Sequence, residues 1–255
     1  MILAVYNGKG GIGKTLTAVN LAAIWSQTHR VLFIDLDAHY SGSSFLHAQD
    51  APNGTSADVL MDGASVSSVA IPGVVGGKES ENLRVVPAGE VMNEVVSRLP
   101  SLKAPEIRLS RALRHGVDWD VCVLDCSGHF DITTRNALLA ATHLLLPVNS
   151  DRQAYDTAVD TIRHATDLRD EYERAPLDYR VLLTSAAHRT VNTRDIEQVC
   201  RETWPDKMCQ TTIRYTEKLR GLSRYWATVV DEEAGTGRED YTALAKELWA
   251  WSQQP

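Results

Sequence analysis

Eight consecutive residues, Gly8-Lys9-Gly10-Gly11-Ile12-Gly13-Lys14-Thr15, fit the pattern GxxxxGK[ST] and carry the clearest chemistry in the chain. Glycines accept positive φ and let backbone N–H groups approach phosphate oxygens, so a run of them builds an anion nest. A helix opening at Lys14 adds its positive dipole end. In this pattern Lys14 is expected to reach the β- and γ-phosphates and the Thr15 hydroxyl to ligate Mg²⁺. A bare glycine turn would have no need of Lys and Thr at those two places. The expected nucleotide-binding residues are Gly8, Lys9, Gly10, Gly11, Ile12, Gly13, Lys14, Thr15 and Leu16, with ATP and Mg²⁺ as cofactors.

Such a loop needs a strand before it and a helix after it, and the chain supplies both. Apolar runs at 2–6, 31–34, 83–86, 121–124, 143–148 and 179–183 are dense in Val, Ile and Leu without clean alternation. That is the pattern of parallel strands buried on both faces. Helical periodicity is predicted over 14–27, 91–98, 106–114, 132–141, 154–173, 194–202 and 240–251. The alternation implies right-handed crossovers and an α/β fold: a predominantly parallel twisted sheet with helices on both faces. Residues 53–55, 73–78 and 231–238 read as loops or polar stretches. No repeat, low-complexity tract or linker interrupts the pattern, so 1–255 is expected to be a single P-loop ATPase domain.

Bulk properties narrow the setting. Four cysteines, Cys122, Cys126, Cys200 and Cys209, show neither CxxC pairing nor histidines at zinc spacing, and they read as reduced thiols. No stretch approaches eighteen apolar residues, and the chain opens directly into an apolar strand. Neither a membrane span nor a signal peptide is expected, and the expected location is cytoplasmic. A net charge of −7 argues against general, charge-driven nucleic-acid binding by the monomer while leaving room for a local basic patch.

The run KGGIGKT, from Lys9 to Thr15, resembles the deviant Walker A motif of the ParA/MinD superfamily, in which a lysine follows the first glycine. The resemblance implies that Lys9 crosses a dimer interface to the phosphates of the partner's ATP. A second cation cancels phosphate charge only when two subunits close face to face, so ATP becomes the dimerisation switch. Val31 to Asp37 looks like the superfamily's second-strand DxD motif, which implies Asp35 near Mg²⁺ and Asp37 positioning or activating the attacking water. Two carboxylates at i and i+2 leave a strand on the same side. Asp120 to Asp125 resembles a Walker B strand, with Asp125 holding the Mg²⁺ shell through water. The strand ending in Pro87-Ala88-Gly89 and the closing segment around Tyr241 and Leu244–Leu248 are similar to the superfamily too, so the resemblance spans nearly the whole chain. It implies Lys9, Lys14 and Asp37 as catalytic residues and Thr15, Asp35 and Asp125 at the metal. Departures are Leu16 after the loop, Ala38-His39 in place of Pro-Gln, and Cys126-Ser127-Gly128 in place of Thr-Pro-Pro. They bear on hydrolysis rate and partner rather than on ATP binding. His39 and His129 read as loop residues, since phosphoryl transfer needs positioning and charge stabilisation more than a histidine base.

Four superfamily roles compete: DNA partition, MinD-like membrane cycling, positioning of another cargo on the nucleoid, and a metabolic ligase. Trp249 and Trp251 near the end lack the trailing Lys or Arg that an anionic lipid surface requires, so they are expected to pack on the core, and no membrane partner is expected. Arg214, Lys218, Arg220 and Arg224 against the single acid Glu217 form a positive island, with Arg238 further on. These five are the candidate DNA-binding residues. Arg108, Arg111 and Arg114 form a second stripe that reads more simply as a solvated helix face. Dimerisation doubles any such patch, and affinity for DNA rises steeply with phosphate contacts. The expected partners are a second copy of the chain, non-specific DNA, and a ParB-like or cargo-adaptor activator. The chain resembles the short type without an N-terminal winged-helix arm. Cargo, activator and hydrolysis rate are not readable from the sequence.

Overall fold

The computed structural model of the protein describes residues 1–114, 118–184, 191–232 and 234–254, and not the side chains of 191–193. In chain order the elements are β1 (Ile2–Val5), α1 (Lys14–Trp25), β2 (Val31–Asp35), α2 (Ser41–Phe45), α3 (Ser56–Met61), α4 (Val66–Val69), β3 (Ile71–Val75), β4 (Lys78–Val86), α5 (Met92–Arg98), α6 (Arg108–Ala112), β5 (Val121–Asp125), α7 (Ile132–Ala140), β6 (His143–Val148), α8 (Arg152–Glu171), β7 (Asp178–Leu183), α9 (Val191–Thr203), α10 (Glu217–Tyr225) and α11 (Thr236–Ser252). The strands form one sheet in the order β3-β4-β2-β5-β1-β6-β7, parallel throughout except that β3 runs against β4.

The central strands β1, β2 and β5 look uniformly apolar because both faces are covered. Leu3, Val5, Val31 and Phe33 join the apolar layer under α1, α10 and α11. Their neighbours Ala4, Leu32 and Ile34 join the layer under α3, α5, α7 and α8. Alternate residues of a strand point to opposite faces, so two buried faces erase the alternation that marks a half-exposed strand. Helix α1 is buried on most sides: Thr17 Oγ1 meets Tyr241 Oη at 3.3 Å, and Trp25 Nε1 donates to Ala245 O at 3.1 Å, tying it to α11. Trp251 is buried and Trp249 partly so, as expected of residues that pack the last helix. Among the described residues no helix is long and apolar enough to cross a membrane.

The 73–78 segment, expected to be a loop, is instead a hairpin. Gly76 and Gly77 at φ +64° and +70° make its two-residue turn, and β4 reaches back to Lys78. Pro72 sits in β3, which the edge of the sheet permits because no outer neighbour needs its missing N–H. The helix expected over 106–114 is a short turn at Pro105–Ile107 followed by the five residues of α6. The 231–238 stretch passes into α11 at Thr236, and Glu233 within it lies outside the described residues.

Candidate functional site

Strand register assembles the site. Asp125, the last residue of β5, lies opposite Val5 of β1 on one side and Asp35 of β2 on the other. The glycine loop and both carboxylates therefore leave the same edge, beside the point where successive crossovers turn in opposite directions; open α/β sheets bind ligands there. Asn7 anchors the loop from below: its Nδ2 donates to Pro147 O at 2.8 Å and Ala154 O at 3.1 Å, and its Oδ1 accepts Lys9 N–H at 3.2 Å. Thr184 Oγ1 holds Ile12 O at 2.9 Å. Gly11 and Gly13 take φ of +73° and +87°, which a side chain would resist. Gly13 then hands over to α1, and the loop N–H groups and helix start converge on a cleft of about 880 Å³.

Two carboxylates sit behind this cleft rather than on its wall. Asp35 and Asp125 are fully buried. Burial first, with Asp35 next, raises Asp125 well above the usual carboxylate range, and the nearby Thr15 hydroxyl only eases this. Among the described residues neither Asp125 oxygen has a hydrogen-bond partner of ordinary geometry. Burial also pushes Asp35 to about 6, against hydrogen bonds from Asp37 N, Ser43 Oγ and Ser43 N. Lys14 is lowered by burial, while Asp125 opposes that shift. A buried, partnerless carboxylate is expensive unless a cation completes it. Among the described residues no three His, Cys, Asp or Glu side chains converge on a metal. Mg²⁺ keeps several waters and takes one or two carboxylates plus phosphate oxygens. Thr15 on the cleft wall and Asp125 behind it fit that ion, whereas the Asp35 oxygens are taken by Asp37 N, Ser43 N and Ser43 Oγ.

The remaining candidates part company. Asp37 lines the cleft with Lys14 and Thr15, whereas Asp35 turns inward to Ser43. The same-side rule fails for this pair because β2 ends at Asp35 and Asp37 already belongs to a turn. Lys14 Nζ donates to Lys9 O at 2.8 Å. Lys9 itself engages its own chain: Nζ donates to Gln153 Oε1 and stands 3.5 Å from Asp151 Oδ2 at the start of α8. Leu16 lines the cleft wall. Cys126 is a buried free thiol, as are the other three cysteines.

The basic island divides too. Arg214 forks onto Asp240 at 2.6–3.1 Å and is 3.4 Å from Glu239. Lys218 stands 3.3 Å from Glu232 and donates to Ala234 O, and Arg238 donates to Glu232 O. Arg220 and Arg224 are exposed on α10, Arg220 on the cleft rim. In the second stripe Arg108 caps α3 by donating to Leu60 O and Met61 O at 2.7 and 2.6 Å. Sequence reasoning missed four contributors. Asn7, Gly42 and Ser43 have no motif of their own, and Phe45 meets Trp226 edge-on at 5.3 Å across the far end of the cleft. Only Asn7, one residue ahead of the glycine loop, gave a positional hint.

A family profile described as an AAA domain matches residues 1–175. The sporulation initiation inhibitor protein Soj of Bacillus subtilis is 29% identical over 255 residues, covering 98% of this chain and 98% of Soj. The chromosome partitioning protein ParA of Myxococcus xanthus is 27% identical, covering 97% of this chain and 87% of that one. A crystal structure of a putative plasmid partition protein from Borrelia burgdorferi bound to AMPPNP superposes with a TM-score of 0.82 at 18% identity, covering 98% of each chain.

Proposed function

This chain belongs to the AAA domain family, in its ParA/MinD type of P-loop ATPase, and from that membership we propose that it is a partition or cargo-positioning ATPase acting as one unit over residues 1–255. It hydrolyses ATP to ADP and phosphate with Mg²⁺. Two copies close over two nucleotides, and the dimer binds DNA without sequence preference until an activator of ParB-like type stimulates hydrolysis. In this reading the protein is cytoplasmic and joins the nucleoid when ATP-bound. Fold alone does not choose among superfamily roles, because metabolic ligases share it; the curated relatives favour partition.

The observation that supports the reading best is the buried Asp125 carboxylate beside Lys14 and the glycine loop, without a hydrogen-bond partner of ordinary geometry among the described residues. The loop N–H groups and Lys14 hold the phosphates and spread their charge. Thr15 and Asp125 would hold Mg²⁺, directly or through water, with Asp35 beside Asp125 behind them. When bound, the ion neutralises charge that develops on the phosphate oxygens. Asp37 orients the attacking water. Lys9 exchanges Asp151 and Gln153 for the phosphates of the partner copy. On the DNA side Arg224 and Arg220 contribute most, because Arg220 is held only loosely, 3.9 Å from Glu217, while Arg214, Lys218 and Arg238 are engaged more closely within the chain.

An electrophoretic shift with arbitrary duplex DNA, run with and without ATP, tests the whole reading. A shift that requires ATP, and that Lys9→Ala loses together with the dimer seen by light scattering, is the expected result. No shift at low salt would return the ligase and membrane alternatives to contention.

A further inference from the structure

Asp37 and His39 share a turn in which one carboxylate oxygen is tied and the other is not. Asp37 Oδ1 accepts two hydrogen bonds from His39, one from the backbone N–H at 3.0 Å and one involving ring Nδ1 at 2.9 Å. An ionised carboxylate only accepts, so the ring contact requires the proton on Nδ1. Among the described residues no hydrogen bond reaches Asp37 Oδ2. The backbone beneath is held as well: Asp37 N donates to Asp35 Oδ1 at 3.0 Å, and Tyr40 N donates to Asp37 O at 2.9 Å. Tyr40 takes φ +42°, a left-handed conformation that a non-glycine residue keeps only where its surroundings impose it. Both Asp37 and His39 line the nucleotide cleft.

We propose that His39 is a positioning residue for hydrolysis, anchoring Asp37 Oδ1 so that Oδ2 faces the attacking water. This rests on the reading of Asp37 as the residue that orients that water. A carboxylate turns easily about its terminal torsion, whose preference is broad and two-fold. Two donors from one residue on the same oxygen narrow that torsion and leave a defined oxygen for the water. Small errors in such geometry are amplified in rate, because the reacting atoms must meet at a set distance and angle. The His39 side chain is 87% exposed, so removing it opens no cavity and leaves the fold intact.

The test compares ATP turnover, KM for ATP and affinity for a fluorescent ATP analogue in the full chain and three variants: His39→Ala, His39→Asn and Asp37→Ala. His39→Ala is expected to lower kcat about tenfold, the loss of one hydrogen bond to a charged group, with KM and analogue affinity unchanged. His39→Asn, whose side-chain amide nitrogen stands where Nδ1 stood, restores most of the rate. Asp37→Ala loses turnover altogether while still binding the analogue. Full kcat in His39→Ala beside a dead Asp37→Ala overturns the His39 role and leaves that of Asp37 standing. Normal turnover in Asp37→Ala removes both. A His39→Ala defect that appears in KM, or that Asn does not repair, assigns the ring to nucleotide binding and overturns the proposal.

Discussion

Strand β5 is preceded by one aspartate and closed by another, and the two are treated in opposite ways. Ahead of it, Asp120 takes hydrogen bonds from Arg30 N at 2.8 Å and Arg30 Nη2 at 2.9 Å, and these pull its carboxyl down to about 2. At its close, Asp125 is buried, has no hydrogen-bond partner of ordinary geometry among the described residues, and is raised well above the usual carboxylate range. The contrast extends along both edges of the sheet. Where β7 begins, Asp178 accepts Lys207 Nζ at 2.8 Å and Trp251 Nε1 at 2.6 Å; burial opposes its ionisation, but Lys207, Trp251 and Arg180 outweigh burial. Where β2 ends, Asp35 rises to about 6 in spite of three hydrogen bonds. The starting edge neutralises its charges within the chain. The finishing edge leaves them for a ligand to neutralise, and the fold forgoes stability there.

Lys14→Ala should break the finishing edge most severely. Its ATP affinity is expected to fall about 100-fold or more, as when one member of a buried charge pair is truncated. Calorimetric titration showing near-normal affinity would mean that the loop backbone alone holds the phosphates. Next comes Asp125→Asn, which should lose Mg²⁺-dependent turnover and yet melt higher by about 3 °C without nucleotide, because a buried charge is gone. A lower melting temperature would show that the carboxylate stabilises the fold after all, and the contrast between edges would fall.

The pH dependence of stability sharpens the comparison further. Asp35 has a folded pKa near 6 against 3.8 for the free side chain, so its folded form is favoured while protonated. That contribution is complete below about 4 and is lost as pH rises through about 6. Asp120 has the reverse sign: its contribution is complete above about 4 and disappears as pH falls towards 2. Urea midpoints from pH 4 to 7, without Mg²⁺, should show a downward slope that Asp35→Asn flattens and Asp120→Asn does not. The smallest effect belongs to Arg30→Ala. Its pairs with Asp118 and Asp120 are exposed and screened by solvent, so the melting temperature should hardly change and ATP affinity should not move. A large loss of affinity would couple the two edges through β5.

What could be read before folding was whatever chemistry is local. The glycine loop, the aspartates that end two strands and the continuous apolar runs each follow from neighbouring residues. Elements of four to six residues, such as α2, α3 and α4, are too short for a helical period to show. Strand β3 was hidden by Pro72 and Gly73, which usually punctuate loops but fit an edge strand; a side chain at position 73 would strike Leu83. The basic island was counted correctly as charge. Its partners were out of reach, because Arg214 meets Asp240 only once α11 lies alongside. Ser43 shows the same limit: its hydroxyl donates to Asp35 at 2.8 Å and accepts Ala88 N–H at 2.9 Å, joining the ends of two strands far apart in the chain.

Gly42 has no chemistry of its own. A methyl group there would come within 2.8 Å of the Phe33 ring and 3.0 Å of Asp125 Oδ2. Every substitution at this position therefore presses on the Asp125 carboxylate from behind, through the wall of the core. In a survey of all single changes it should behave like an active-site residue, intolerant even of alanine, although its part is to keep a space clear.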